Sequence, residues 1–253
     1  MKPRFWLPIL VGAALFLCVL SLSMPARLLP YFLDAETLQI SGVSGTLRAG
    51  TASRARLKVP GGYFHLGELT WNMAPWSLLR LAPTVQVSSV WGDQRASLEL
   101  RLEGESLRIR GLDMNLDAGL LKQVLPVELK GRLGILFDEI LVSAGDLLRA
   151  DGRLVWQGAA WQSPGGRRVL GNYVATFTSP ASQQVNASID TLSGPVKATG
   201  TVSLSQRRYA VDLYIESSGQ ELDAALAQAL SLIASPEENG YRLRLDGDLT
   251  PGP

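Results

Sequence analysis

"SLELRLEGESLRIRG" (Ser97–Gly111) decides the fold class. Leu98, Leu100 and Leu102 alternate with Glu99, Arg101 and Glu103, and after Gly104 the pattern resumes with Leu107 and Ile109 against Arg108 and Arg110. A period of two marks half-buried antiparallel strands, with one face on something apolar and the other in water. The same period recurs in "YAVDLYIES" (Tyr209, Val211, Leu213, Ile215) and in "YRLRLDGDL" (Tyr241, Leu243, Leu245). Glycine-containing turns punctuate the chain from Gly42 to Gly247. Short strands with such punctuation predict an antiparallel sheet that grows as a meander.

A second pattern concerns tryptophan. "GELTWNMAPW" (Gly67–Trp76) and "GRLVWQGAAW" (Gly152–Trp161) share Gly, Leu, Trp and Trp at equal spacing, and they hold four of the six tryptophans. A folding unit is often duplicated, whereas a catalytic site is rarely built twice. Each copy follows a Gly-x-Leu segment, "SGTL" (Ser44–Leu47) or "KGRL" (Lys130–Leu133). Two related units are therefore expected, about 38–121 and 126–205, with a closing part at 206–253. Gly67, Leu69, Trp71, Trp76, Gly152, Leu154, Trp156 and Trp161 are the repeat residues and are expected in the core. Trp76 and Trp161 are expected beyond a turn ("NMAP", "QGAA"), where they lock that turn or face a groove. The functional alternative for these aromatics is an apolar groove for a lipid chain or a partner strand.

Two segments read as helices that cover the sheet. "DAGLLKQVLP" (Asp117–Pro126) is expected as two turns, capped by Asp117 or Asn115 and stopped at Pro126. In "SGQELDAALAQALSLIASP", Ser218 and Glu221 form an S-x-x-E capping box. Leu222, Ala225, Leu226, Ala229, Leu230 and Ile233 share one face there, and Pro236 ends the helix.

The first 24 residues read differently. Lys2 and Arg4 precede an uncharged run from Phe5 to Leu22, long enough to cross a bilayer as a helix of roughly 20 residues. A cleaved signal has a shorter apolar region, roughly 7–15 residues, and a small-residue cleavage site. "SLSMPA" matches such a site only in part. The expectation is an uncleaved signal-anchor over 1–24, a linker at 25–37 and a β-rich domain at 38–253. Lys2 and Arg4 place the N-terminus in the cytoplasm by the positive-inside rule, and Trp6 suits the interface.

Composition excludes several functions. Of 253 residues, 46 % are hydrophobic and 19 % charged, with 24 basic and 23 acidic side chains and a net charge of +1. That balance gives no electrostatic footprint for nucleic acid. With one cysteine (Cys18) and one histidine (His65), the chain has no intramolecular disulfide and no zinc site built from cysteines and histidines alone. A catalytic triad would have to use His65, which reads as a packing residue in a strand. Cys18 sits in the apolar run as a small hydrophobe. Asp113 with Asp117, and Glu237 with Glu238, read as surface or helix-end charge. "GGRR" (Gly165–Arg168) lacks the strand–loop–helix context of a phosphate loop and reads as an exposed hairpin. No catalytic, cofactor-binding or metal-ligating residues are assigned.

In order along the chain, "MPARLL", "LQISGVSGTLRAGTA", "LGELTWNMAPWSLL", "LPVELKGRLGI", "DGRLVWQGAAW", "LGNYVATF" and "GTVSLSQRRYAVDLYI" resemble the type II secretion system protein N family. The resemblance runs from about Pro25 to Leu249. Arg48 departs from it, because a bulkier residue is expected after "SGTL". The resemblance implies a bitopic inner-membrane protein with a periplasmic β-domain that supports export of folded proteins across the outer membrane. It implies no enzyme activity and no cofactor, and it implies other components of the secretion system as partners. The family is also distantly similar to AsmA-like envelope proteins, whose curved sheets form an apolar trough. A lipid-binding or lipid-transfer module is thus the alternative. The extent to which the C-terminal helix covers the Leu and Trp faces separates the two.

Overall fold

A computed structural model describes residue 12 and residues 23–32, 34, 36–59, 62–80, 82–123, 128–163, 166–219 and 224–248. Among the described residues fourteen strands form one antiparallel sheet. The first half comprises β1 (Leu38–Gly45), β2 (Ala49–Val59), β3 (Gly62–Met73), β4 (Thr84–Trp91), β5 (Gln94–Glu103) and β6 (Ser106–Asp117). It continues through β7 (Leu129–Ser143), β8 (Asp146–Ser163), β9 (Gly166–Ala181), β10 (Gln184–Ser193), β11 (Val196–Ser205) and β12 (Arg208–Ser217). Last come β13 (Ser235–Glu237) and β14 (Gly240–Asp248). Neighbours in sequence are neighbours in space up to β12. There the order becomes β12-β14-β13, so the three-residue β13 lies outermost. Among the described residues the sheet is therefore a meander with two ends; the period of two predicts its antiparallel strands but not whether the sheet closes.

Directly opposed residues of an antiparallel pair lie on the same face, so the register shows how the apolar side chains align across strands. Gly50, Trp71, Val87 and Leu98 follow one another from β2 to β5. Leu116, Leu133, Trp156 and Tyr173 do so from β6 to β9. Ile189, Gly200, Leu213 and Leu243 do so from β10 to β14. The opposite face carries the polar rows. There Ser44 bonds Thr51 (2.8 Å) and Thr70 bonds Ser88 (2.6 Å). Further along, Glu139 gathers Arg108 and Arg149, and the Asp212 carboxylate accepts from Nε and Nη2 of Arg242, each at 2.7 Å.

Short helical pieces partly cover the apolar face. The stretch expected as a linker carries a 3₁₀ turn, Ala26–Leu28, and a helical turn, Leu29–Phe32. Ala26 and Leu29 pack on Ala52, Trp71 and their neighbours. The Leu47 amide donates to the Met24 carbonyl (2.9 Å), which fastens this piece to the β1–β2 turn. The Asp117 helix is present as a 3₁₀ helix, Ala118–Gln123, with the Gly119 amide donating to Asp117 Oδ1 (2.7 Å); Pro126 lies outside the described residues. At the C-terminal end the described helix is Ala224–Ser231. Glu221, the partner of Ser218 in the expected capping box, and Leu222 of the expected apolar face lie outside the described residues.

Two expectations about this last segment need correction. Ile233 is not on the buried helix face; it lies past the helix end and is exposed. Pro236 does not simply stop the helix. It sits in β13, on the outermost strand, where the missing N–H costs the ladder nothing. Among the described residues no helix is long and apolar enough to cross a membrane. The signal-anchor expected over 1–24 falls, but for Gly12, Ser23 and Met24, outside them.

Candidate functional site

The two tryptophan motifs are placed by different local structures. In the first, Gly67 has φ +76°, and a Cβ there would lie 2.4 Å from the Val90 carbonyl oxygen. Only glycine fits that left-handed, close-packed position in β3. Leu69 follows on the half-buried face. Trp71 is 8 % exposed and belongs to the core cluster. Its indole lies on Gly50 of β2, where a Cβ would come within 2.4 Å of the ring. Its Nε1 donates to the Thr46 carbonyl (3.2 Å), beside the glycine of the "SGTL" segment.

In the second motif Gly152 lies between Phe137 of β7 and Phe177 of β9, its register partners. The two rings meet across it with centroids 5.1 Å apart. Leu154 and Trp156 follow on the apolar face. Trp156 Nε1 donates to the Lys130 carbonyl (3.1 Å), again beside the glycine of the preceding Gly-x-Leu. The repeated Gly-x-Leu-x-Trp thus repeats a contact: an indole N–H donating to a backbone carbonyl next to an upstream glycine.

The second tryptophans diverge from the expectation. Pro75 starts a short helix, Pro75–Leu79, since proline cannot donate to the ladder. Trp76 rides on that helix, 74 % exposed and outside the core. In the other copy no turn intervenes. Gly158, at φ +59°, makes a bulge inside β8, its amide held by Asn172 Oδ1 (2.7 Å). Trp161 continues in the same strand, opposite Leu129 and Arg168. The motif brings Trp71 and Trp156 to equivalent places and separates Trp76 from Trp161.

Beyond Trp156 the apolar face opens into a groove of about 320 Å³. Trp156, Tyr173, Ile189, Leu213 and Ile215 form its floor, and Leu226 and Leu230 of the Ala224–Ser231 helix form one wall. Trp156 and Tyr173 rings lie 6.0 Å apart. The Tyr173 hydroxyl donates to the Val196 carbonyl (2.8 Å), and burial pushes its pKa up to about 12. The helix covers only this end of the sheet. Along the middle strands most of the large apolar side chains stay partly exposed.

The polar face has a recess of about 860 Å³ across β2–β6, which includes Thr51, Thr70, Ser88, Glu99 and Arg110. On the neighbouring strands, the Arg108 guanidinium, followed by Arg110 and Arg149, holds the Glu139 carboxyl below the usual carboxylate range. These are structural ion pairs on a sheet surface. His65 stacks near Trp91, with centroids 5.5 Å apart. Among the described residues, no three His, Cys, Asp or Glu side chains form a group that could hold a metal ion. Asp113 lies exposed on β6, and Glu237 ends β13 within 3.9 Å of Arg242. Ser163 and Gly166 pair where β8 turns into β9, the place expected for the Gly165–Arg168 hairpin.

Sequence reasoning did not single out Tyr173, Ile189 and Leu213 as one site. The signal was present as alternation in β9–β12, but alternation gives a face and not which stretch of it a helix will wall.

A family model described as type II secretion system (T2SS), protein N, matches residues 36–244. The type II secretion system protein N of Aeromonas hydrophila is 28 % identical over 250 residues, covering 93 % of this chain and 96 % of that protein. No solved structure matches.

Proposed function

Because the chain belongs to the type II secretion system protein N family, we propose that it is an accessory inner-membrane component of that export apparatus. Residues 5–22 cross the membrane once, with Lys2 and Arg4 on the cytoplasmic side. The β-domain stands in the periplasm and catalyses nothing. It supports passage of folded proteins across the outer membrane by contacts with other components of the system. The observation that carries this reading is the family match over 209 residues, 36 to 244, on a chain whose described part is one sheet with open ends. Open strand edges take up partner strands. The packing of Ala26 and Leu29 on Trp71 ties the segment after the anchor to the first strands, which keeps that end of the sheet close to the membrane.

The test is a chromosomal deletion followed by assay of a type II substrate in the medium and in the periplasm. Substrate trapped in the periplasm and released again by the restored gene is the expected result. Unchanged secretion overturns the reading.

A second reading rests on the groove beside the Ala224–Ser231 helix. Its volume of about 320 Å³ lies at the small end of ligand pockets, and its lining is apolar as a lipid chain requires. Mass spectrometry of a solvent extract of the purified protein decides it. A stoichiometric lipid that Leu213→Asp removes is the expected result under this reading.

A further inference from the structure

The far edge of the sheet is only partly occupied. β12 runs along β14 from Gly240 to Asp248. On the other side, β13 pairs with β14 at three positions only: Glu237 with Gly240, Pro236 with Tyr241 and Ser235 with Arg242. Among the described residues, the backbone of Leu243–Asp248 therefore has no strand on its outer side. Such an edge is a template for another chain.

The side chains on this edge specify which chain. Arg242, Arg244, Asp246 and Asp248 alternate with Leu243, Leu245 and Gly247. Laid antiparallel against itself about Leu245, the stretch sets Arg244 opposite Asp246 of the copy, and Asp246 opposite Arg244. Leu243 falls opposite Gly247, and Leu245 meets its own copy. Centring the pair on Arg244 or Asp246 instead sets a like charge on the axis, which is destabilising. A register between residues sets leucine against charge. One alignment is thus free of conflict. The faces agree as well: Leu245 pairs with Val211 on the apolar face, and Arg244 with Asp212 on the polar one.

The groups involved are available. Asp246 has no ion pair among the described residues. The Arg244 side chain is largely exposed, and its ion pair with Asp212 is long, 3.7 Å against the 2.7 Å at which Arg242 holds the same carboxylate. Leu245 is 47 % exposed, and Leu232 and Ile233, which lead into β13 at the same edge, are 82 % and 62 % exposed.

We propose that this edge pairs with its copy in a second molecule of the same chain, through an antiparallel two-fold strand pair centred on Leu245. Ser235 already lies opposite Arg242, so the ladder between copies spans Leu243–Gly247. The two-fold axis stands across the sheet, and the two apolar faces lie on one side. This contact is independent of the secretion role and survives if that role fails.

The test uses the full-length chain in its own envelope with Cys18→Ala, which leaves no native thiol. Opposed residues of an antiparallel pair have Cα atoms about 4.5–5.5 Å apart, within disulfide range. Leu245→Cys is expected to give a covalent dimer on oxidation. Val90→Cys, on the exposed end of β4, is expected to stay monomeric. No dimer from Leu245→Cys, or equal cross-linking at both positions, overturns the proposal. In the Leu245→Cys background, Arg244→Asp and Asp246→Arg each turn two unlike-charge pairs into like-charge pairs. Each is expected to lower the cross-linked fraction about tenfold. Co-expressed, the two variants restore both pairs and cross-link to each other, a result that needs both to be folded. Failure of the mixed pair to cross-link, with each variant as protease-resistant as the parent, also overturns it.

Discussion

Replacing each of three repeat tryptophans by alanine tests whether equal sequence positions are equal structural positions. A buried aromatic side chain removes about 150–250 Å² from water. At about 25 cal/mol per Å² this is worth roughly 4–6 kcal/mol, an upper value because the unfolded chain already hides part of it. Trp71 is 8 % exposed, so Trp71→Ala is expected to destabilise by about 3–5 kcal/mol, the range for buried tryptophan. Trp156 is half-buried and is expected to cost about 2–3 kcal/mol by the same scaling. Trp76 is 74 % exposed, which leaves roughly a quarter of the area and a loss of about 1 kcal/mol. Trp71→Phe separates burial from polarity: it keeps most of the ring but orphans the Thr46 carbonyl, for about 1 kcal/mol beyond the lost area. The assay is urea unfolding of the full chain in mild detergent, followed by far-ultraviolet circular dichroism, which does not depend on the residues removed. The reasoning fails if Trp76→Ala costs as much as Trp71→Ala, or if Trp71→Ala unfolds within 1 kcal/mol of the parent.

Gly152→Ala puts a Cβ 2.4 Å from the Leu136 carbonyl oxygen and 2.7 Å from the Phe137 ring, whereas at Gly134 the nearest atom is 3.7 Å away. Urea unfolding should show a loss of about 1–3 kcal/mol for the first and almost none for Gly134→Ala. Glu139 is held below its usual pKa by Arg108, so the stability it adds is present above the unfolded-state value and is lost as pH falls through the folded one. Glu139→Gln should therefore flatten the acid limb of the stability–pH profile below about pH 4.5 and leave its slope near neutrality unchanged. Tyr173 has its folded pKa raised to about 12, so the unfolded chain ionises first as pH rises past about 10 and stability is lost from there to about 12. A phenolate titration at 295 nm should show one late tyrosine that Tyr173→Phe removes.

How far the sequence could carry the fold depends on the range of each signal. Alternation is local: each of "SLELRL", "SLRIR", "YAVDLYI" and "YRLRLDGD" reports its own two faces, and the strands β5, β6, β12 and β14 lie where those patterns fall. The meander follows, because short turns leave antiparallel neighbours as the only connection. The tryptophan repeat carries less. Gly-x-Leu-x-Trp fixes a strand, a ring on the apolar face and an indole bonded to an upstream carbonyl in both copies. The following residues decide the rest. Pro75 removes a ladder donor and starts a helix, whereas Gly158 lets the strand bulge and go on. Reading "NMAP" and "QGAA" as equivalent turns overlooked that proline and glycine break a strand in different ways.

What covers a face is a non-local fact, and there local patterning stops being informative. The helix near residue 230 was legible from its 3.6-residue spacing. That it walls one groove, ends at Ser231 and hands the chain back to the sheet as β13 depends on where β14 lies. The same non-locality gives the far edge its interest. Because β13 is three residues long, it satisfies β14 only as far as Arg242. The remaining residues carry Arg244 followed by Asp246, a charge order that an antiparallel copy complements and a parallel one opposes. Part of that order serves β12, where Arg242 and Arg244 meet Asp212 and Asp248 meets Arg208, while Asp246 has no ion pair among the described residues. On an edge left open that order discriminates between partners, favouring the copy and, by like-charge repulsion, disfavouring other registers.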